Sequence, residues 1–336
     1  MKLKILISMI MLLCLKNISL AQDHNKLKND LVLISSQQII QDELPIKVNP
    51  GFLLIRDTYY NWETDHWSKG NSKLWHYDDN NKLIQIECLG SPYIISFFYD
   101  NEDNLICKQR SDYNKNQDIW VTTLVDSFFY DNNGNLIEEF ELLLESGLLR
   151  KNDRDEYFYD SLGKLSEKKS YYGYYPEKQD TTGIWIFENS RLYDYDDDNN
   201  LISSTPTNHN QRYYKVDYTY NSDNLRLSEF GHQWYNDQWN QLYQYDFSYN
   251  EKGLMIEAYH NESESQIYRF LYEYDENDNK SKRTYQKFKD NSWDTSYVSI
   301  IYYTYDDNNN LIQEMKTIYE QGAFRNSYRI VYDYDK

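Results

Sequence analysis

The stretch FFYDNNGNLI at residues 128–137 decides the fold, because its pattern recurs along the chain. A Tyr-Asp or Tyr-Asn pair returns at Tyr77, Tyr99, Tyr130, Tyr159, Tyr195, Tyr220, Tyr249, Tyr274, Tyr305 and Tyr334. The residue two positions before each Tyr is aromatic in every copy: Trp75, Phe97, Phe128, Tyr157, Tyr193, Tyr218, Phe247, Tyr272, Tyr303 and Tyr332. An aromatic period of two predicts a β-strand with one buried face.

A second regularity follows each Tyr by four residues. Only Gly, Asn and Asp occur there, at Asn81, Asp103, Gly134, Gly163, Asn199, Asn224, Gly253, Asp278 and Asn309. These three residue types adopt positive φ at the least cost, so the position predicts a tight turn. An apolar residue usually follows at plus six, and only Arg226 and Lys280 depart from that rule. Each repeat is therefore predicted to be a β-hairpin.

Tryptophan marks every second repeat. Trp67, Trp120, Trp185 and Trp239 each lie ten residues before a repeat Tyr, and Trp293 lies twelve before. The turns that lead into these segments are polar. This alternation predicts a repeat unit of two hairpins, with a Trp-bearing strand at the start of each pair.

The predicted fold is all-β: an elongated, antiparallel β-meander or solenoid-like sheet of about ten tandem β-hairpins. We assign residues 57–336 to this array and residues 22–56 to an N-terminal cap that protects the first edge. Edge-to-edge self-association is the expected risk of an open array. No Pro- or Ser-rich linker divides the chain.

Residues 1–21 have the pattern of a signal peptide. Lys2 and Lys4 precede an apolar run at 5–15, and Ser19-Leu20-Ala21 offers a cleavage site. A lipoprotein signal at Cys14 is the alternative. The run is too short for a membrane span and no second one follows, so we expect a secreted, cell-surface or periplasmic protein.

The composition narrows the possible partners. Of 336 residues, 54 are acidic and 35 are Lys or Arg, so the formal net charge is −19, which argues against nucleic acid as a partner. Aromatic residues make up 17% of the chain and argue against disorder. Cys88 and Cys107 fall on opposite strand faces in the repeat register. We therefore expect two buried free thiols rather than the disulfide that export would permit.

The segment 128–137 resembles the YD repeat of the RHS/YD family, whose units read Tyr-x-Tyr-Asp-x-x-Gly-x-Leu. The resemblance covers about residues 73–336. It implies a long β-sheet built from successive hairpins, which in RHS toxins and teneurins spirals into a hollow shell. This chain departs from the pattern in its longer, uneven units, in the frequent Asn at the turn, and in the lack of a toxin domain after the array.

No catalytic or cofactor motif occurs in the sequence. The G-x-S-x-G, H-E-x-x-H, phosphate-loop and dinucleotide patterns are all missing, and the six histidines lack ligand spacing. We expect no enzyme, no cofactor and no metal site. The Asp/Asn-rich turns, such as 196–200 and 306–310, have two interpretations: backbone capping, which we favour, or Ca²⁺ binding.

The candidate ligand-binding residues are Trp120, Trp185, Trp239 and Trp293. Their rings would stack on sugars or on aromatic side chains if they line an exposed face, and would fill the core otherwise. The preferred hypothesis is a secreted, non-enzymatic scaffold that binds a protein or glycan. The alternative is a shell fragment or accessory of an RHS-type toxin or injection system. A glycan hydrolase is the least favoured class.

Overall fold

The computed structural model describes residues 53–63, 66–145, 148–176, 183–207, 214–263, 266–320 and 322–335. Within these ranges the chain forms strands and turns and no helix. The strands are β1 (Leu53–Glu63), β2 (His66–Tyr77), β3 (Leu83–Cys88), β4 (Tyr93–Tyr99), β5 (Leu105–Asn114), β6 (Ile119–Tyr130), β7 (Leu136–Glu145), β8 (Leu148–Tyr159), β9 (Leu165–Tyr174), β10 (Ile184–Tyr195), β11 (Leu201–Pro206), β12 (Tyr214–Tyr220), β13 (Arg226–Tyr235), β14 (Gln238–Tyr249), β15 (Met255–Ser263), β16 (Gln266–Tyr274), β17 (Lys280–Lys289), β18 (Ser292–Tyr305), β19 (Leu311–Glu320) and β20 (Ala323–Asp335). The predicted all-β class is confirmed.

In nine of the ten repeats the Tyr ends a strand and the plus-six residue begins the next, as the sequence predicts. All nine residues at plus four have positive φ, between 59° at Asn224 and 81° at Gly134. In the turn after Tyr130, the Asp131 amide donates to the Asn135 carbonyl, and the Gly134 amide donates back to the Asp131 carbonyl. The predicted turn assignment is confirmed in all nine copies that have a plus-four residue.

The described chain divides into two compact units. Unit 1 is Trp75–Arg191, and unit 2 comprises residues 53–74 and 192–335. In unit 1, consecutive strands pair antiparallel, from the β3–β4 pair to the β8–β9 pair. In unit 2 the same holds from β11 to β20.

The first strand of unit 2 corrects the expected open meander. β1 pairs antiparallel with β2 on one side and with β20 on the other, so that Leu54 is opposite Tyr334. A solenoid with an unpaired first edge would leave one side of β1 free. That side is already occupied by β20, so the edge-to-edge self-association expected for an open array finds no free backbone at β1.

The phenol groups of the repeat tyrosines connect neighbouring hairpins. Eight of the ten hydroxyls donate to the backbone carbonyl of the plus-six residue of the preceding repeat, at 2.7–3.0 Å. The donor and acceptor pairs are Tyr99–Leu83, Tyr130–Leu105, Tyr159–Leu136, Tyr220–Leu201, Tyr249–Arg226, Tyr274–Met255, Tyr305–Lys280 and Tyr334–Leu311. Because only a carbonyl is used, the acceptor position tolerates Arg226 and Lys280.

The core of unit 2 is largely aromatic. Tyr245, Phe247, Ala258 and Tyr272 form one buried cluster, and the plus-six residue Leu311 is buried in a second. Here the period-two prediction holds, since Tyr245 and Phe247 are the residues four and two before Tyr249.

Unit 1 differs in which face of its strands is buried. In β6 the buried side chains are Val125 and Ser127, on the face opposite Phe128 and Tyr130. The sequence predicts that the aromatic face of this strand is the buried one. In β6, however, Phe128 and Tyr130 are only half-buried, and the opposite face is the more buried.

The two thiols agree with the sequence prediction. Cys88 and Cys107 are both buried, and neither forms a disulfide. Cys88 is opposite Tyr93 and Cys107 is opposite Phe98 in β4, five residues apart, so they point to opposite faces of that sheet. The predicted signal peptide and all but the last four residues of the predicted cap lie outside the described residues.

Candidate functional site

The tryptophans that mark alternate repeats occupy the hairpin tips opposite the Asp/Asn/Gly turns. Each is the second residue of its strand, which confirms the predicted Trp-bearing strand. At five tips an aromatic pair lies across the two strands, with ring centroids 5.0–5.3 Å apart. The pairs are Trp62–Trp67, Tyr113–Trp120, Trp234–Trp239, Phe288–Trp293 and Tyr319–Phe324. Such cross-strand pairs stabilise a hairpin near its turn.

Trp120 is the most accessible of the four candidate tryptophans. It is 45% exposed at the β5–β6 tip, beside Tyr113. Trp239 is half-buried and meets Trp234 edge-on at 5.3 Å. Neither residue belongs to a buried core cluster, so the core interpretation does not describe them.

Cations cover the other two candidate rings. The Lys151 ammonium lies 5.4 Å from the Trp185 ring centroid, and the Arg269 guanidinium lies 4.1 Å from that of Trp293. These cation–π contacts occupy a ring face that a sugar would need for stacking. Trp293 also lies in a strand that is two residues longer than β6, β10 or β14, which accounts for its twelve-residue spacing.

The four tryptophans lie at four separate hairpin tips. Trp120 and Trp185 belong to different tips of unit 1, and Trp239 and Trp293 to different tips of unit 2. Within each unit, the two tryptophans are separated by one intervening tip, β7–β8 in unit 1 and β15–β16 in unit 2.

An exposed apolar row in unit 1 was missed by the sequence reasoning. We call it the tip row, and it consists of Leu89, Ile119, Trp120, Leu148 and Ile184. These residues lie at the successive β3–β4, β5–β6, β7–β8 and β9–β10 tips, which share one end of the sheet because the chain reverses at every turn. Ile184 is the most exposed, at 52%. The available signal was the aliphatic residue that begins each of the outgoing strands β6, β8 and β10.

The turn carboxylates use their oxygen atoms for backbone capping. Oδ1 of Asp306 accepts from the amides of Asn308 and Asn310 at 2.9 and 2.8 Å, and Oδ2 accepts from the Asn310 side chain. Burial opposes ionisation of Asp306, but these hydrogen bonds outweigh it and lower its pKa. The contacts support the capping interpretation over calcium. In the described part of the chain, no group of three or more His, Cys, Asp or Glu residues is placed to hold a metal ion.

Unit 2 contains a buried acid that the sequence did not single out. Glu229 is 0% exposed, and its carboxylate meets the Arg226 guanidinium at 3.0 Å and accepts from the Tyr243 hydroxyl at 3.0 Å. Burial raises the pKa of Glu229, against the lowering effects of Arg226 and Tyr243. Gly231 makes room for this contact, since a Cβ there would lie 2.0 Å from Cε1 of Tyr243.

The described segments include no helix of the length and apolarity needed to cross a membrane. No protein-family model matches the chain, and no curated protein does either.

Similar solved structures include the Tc holotoxin pore of Photorhabdus luminescens, at 12% identity and a TM-score of 0.25. That match covers 82% of this chain and 18% of the toxin chain, so this chain spans about a fifth of its length. A porin-like protein from Bacteroides uniformis matches at 7% identity and a TM-score of 0.34, over 84% of this chain and 98% of that one. A Bacteroides fragilis protein of unknown function matches at 15% identity and a TM-score of 0.27, over 45% and 89%. These superpositions are too loose to define a function.

Proposed function

We propose that the protein is a secreted, non-enzymatic repeat scaffold and that the tip row binds a protein partner. The observation that carries this proposal is the exposure of five apolar side chains at successive tips of one unit. Exposed apolar residues that are contiguous mark interaction sites more often than scattered ones do. Secretion rests on the predicted signal peptide at residues 1–21.

The chemistry of the tip row favours a protein over a glycan. Leu89, Ile119, Leu148 and Ile184 are aliphatic, so they offer neither a flat ring for stacking on a sugar nor a hydrogen-bonding group. They suit apolar side chains of a partner, and Trp120 adds the one aromatic side chain of the row. A glycan is the second candidate, and its support is the exposed ring of Trp120 beside Tyr113.

The test compares two exposed tips of the same protein. A partner is captured by crosslinking to the mature protein in its native medium, identified, and purified. Its affinity is then measured by calorimetry for wild type, for Trp120→Ala, and for Phe324→Ala as the matched control at the exposed β19–β20 tip. We expect Trp120→Ala to weaken binding at least tenfold and Phe324→Ala to leave it unchanged.

Equal losses in both variants, or none in Trp120→Ala, would reject the tip row as the binding surface. A glycan array run with the same variants decides the second candidate. Trp120-dependent binding of a defined oligosaccharide would replace the protein partner with a sugar.

The alternative class is a shell fragment or accessory of an RHS-type toxin or injection system. It rests on the YD-like repeat of 128–137 and its copies. A toxin, immunity or injection-system gene beside the gene for this chain would support it, and co-purification of the two products would test it directly.

A further inference from the structure

A buried histidine with one unpartnered ring nitrogen lies inside unit 2. His260 in β15 is only 4% exposed. Its ring lies between two phenol rings, with centroids 4.1 Å from Tyr245 of β14 and 4.3 Å from Tyr268 of β16. Both tyrosines are its direct cross-strand partners. The imidazole is therefore held by the sheet register itself.

Three aromatic rings surround the imidazole, and one of its nitrogens has no polar contact. Its Nδ1 is buried and has no hydrogen-bond partner among the described residues. The Tyr245 and Tyr268 hydroxyls are 3.3 Å apart and bond to each other. A third ring, Tyr243, lies at 6.0 Å and directs its hydroxyl to Glu229. No phenol is thus committed to the histidine.

Among the described residues, no carboxylate is placed to compensate a charge on His260. Glu229, from β13, is already engaged by Arg226 and Tyr243. Lys287, from β17, is opposite Tyr268 and would repel an imidazolium. Glu262, two residues along β15, is exposed and acts through space on Tyr268.

The energetic consequence has a definite sign. Burial lowers the pKa of His260 from 6.5 to about 4. When the folded-state pKa of a histidine is lowered, the free energy of unfolding is highest above the pKa of the unfolded chain, because the imidazole is then neutral in both states. That stability is lost as the pH falls from 6.5 towards 4, because the unfolded imidazole takes up a proton first. Burial raises the pKa values of Tyr245 and Tyr268, so both phenols stay neutral in this range.

We propose that His260 is an acid-sensitive switch, and that its protonation opens the β14–β16 segment of unit 2. A charged imidazole between two phenol rings, with no described carboxylate to pair with, is better solvated when the strands separate and admit water, so protonation favours the opened segment. Acidification of the surroundings would then release a segment that is closed at neutral pH. This inference does not depend on the tip row, which belongs to unit 1.

Hydrogen exchange of the mature protein, followed between pH 7 and pH 4.5 and corrected for intrinsic rates, tests the switch. From the two pKa values, protection of β14–β16 should fall more than tenfold. His260→Phe keeps a ring in the same place and should make protection independent of pH. His232→Gln is the matched control, because His232 is a half-buried histidine of the neighbouring β13 and has a carboxylate partner in Asp217 at 3.2 Å.

An unchanged acid response in His260→Phe overturns the proposal, as does pH-independent protection in wild type. If His260→Phe does not fold, the proton resonances of the wild-type His260 ring give the answer alone. A titration midpoint above pH 6 would show that the ring protonates without opening the sheet, and would also overturn the proposal.

Discussion

The phenol hydroxyl of Tyr130 donates a 2.9 Å hydrogen bond to the backbone carbonyl oxygen of Leu105. Leu105 begins β5 in the preceding repeat, so the bond connects one hairpin to the next. The same relationship recurs in both units, and it makes the repeat Tyr a donor as well as a packing residue. We predict that Tyr130→Phe lowers the free energy of unfolding by about 1 kcal/mol, because the ring stays and only the hydrogen bond is lost.

Urea unfolding of Tyr130→Phe and Tyr174→Phe measures this effect. Tyr174 is an exposed tyrosine of the same unit, so its hydroxyl should contribute nothing. If the two variants lose equal stability, the effect belongs to tyrosine hydroxyls in general and the bond to Leu105 is irrelevant.

Alkaline pH should unfold the protein because it ionises the buried repeat tyrosines. Burial first, with the charges of Asp100 and Glu139, raises the pKa of Tyr130 to about 12, and burial raises that of Tyr305 to about 12. Tyrosines of the unfolded chain ionise near pH ~10, so the stability from these groups is complete below that pH and is lost as the pH rises towards 12.

We expect loss of β-sheet circular dichroism to coincide with a late, cooperative rise in tyrosinate absorbance. Tyrosinate formation that is complete near pH ~10 with the sheet intact would contradict the burial of these phenols.

The turns allow a prediction with an internal comparison. Gly134 has φ of 81° and Asn81 has φ of 63°. Gly134→Val should lower the free energy of unfolding by about 1–3 kcal/mol, because a β-branched residue is strained there. Asn81→Gly should be neutral or slightly stabilising.

Asn309→Gly tests what Asn adds to a turn beyond positive φ. The Asn309 side-chain oxygen accepts from the Asn279 amide of the neighbouring turn at 3.1 Å. We therefore expect Asn309→Gly to cost about 0.5–1.5 kcal/mol in urea unfolding, where Asn81→Gly costs nothing. Equal stability of all three turn variants and wild type would refute the turn assignment.

Gly231 and Tyr243 should behave as one element in a double-mutant cycle. Gly231→Ala forces the Tyr243 ring aside and breaks its contact with Glu229, so we expect a loss of about 1–3 kcal/mol. Tyr243→Ala should cost a similar amount, and adding Gly231→Ala to it should cost little more. If the losses of stability from the two substitutions add, Gly231 and Tyr243 act independently and the prediction is wrong.

The local parts of the fold were predictable from the sequence. Turn conformation depends on single residues, so the residue types of Gly134 and Asn309 were enough to predict positive φ. Strand ends followed from the same spacing, and the opposite faces of Cys88 and Cys107 followed from counting.

The non-local parts were not predictable, for physical reasons. Nothing in the sequence of Leu53–Glu63 specifies β20 as its partner, because backbone pairing is nearly independent of side-chain identity. The acceptor of Tyr130 is a carbonyl, which every residue carries. The covering of Trp185 and Trp293 by Lys151 and Arg269 depends on register across strands, and spacing from the repeat Tyr carries no information about it.

The pairing of β1 with β20 also sets an order of events during synthesis. Residues that contact each other across nearly the whole chain meet late, because closing so long a loop costs entropy that local hairpins do not pay. A chain made from its N-terminus therefore presents one side of Leu53–Glu63 without a partner until Ala323–Asp335 has emerged. β1 is thus the first strand of unit 2 to be synthesised and the last to have both of its edges paired. Each hairpin between β1 and β20 lengthens the time for which one edge of β1 is unpaired.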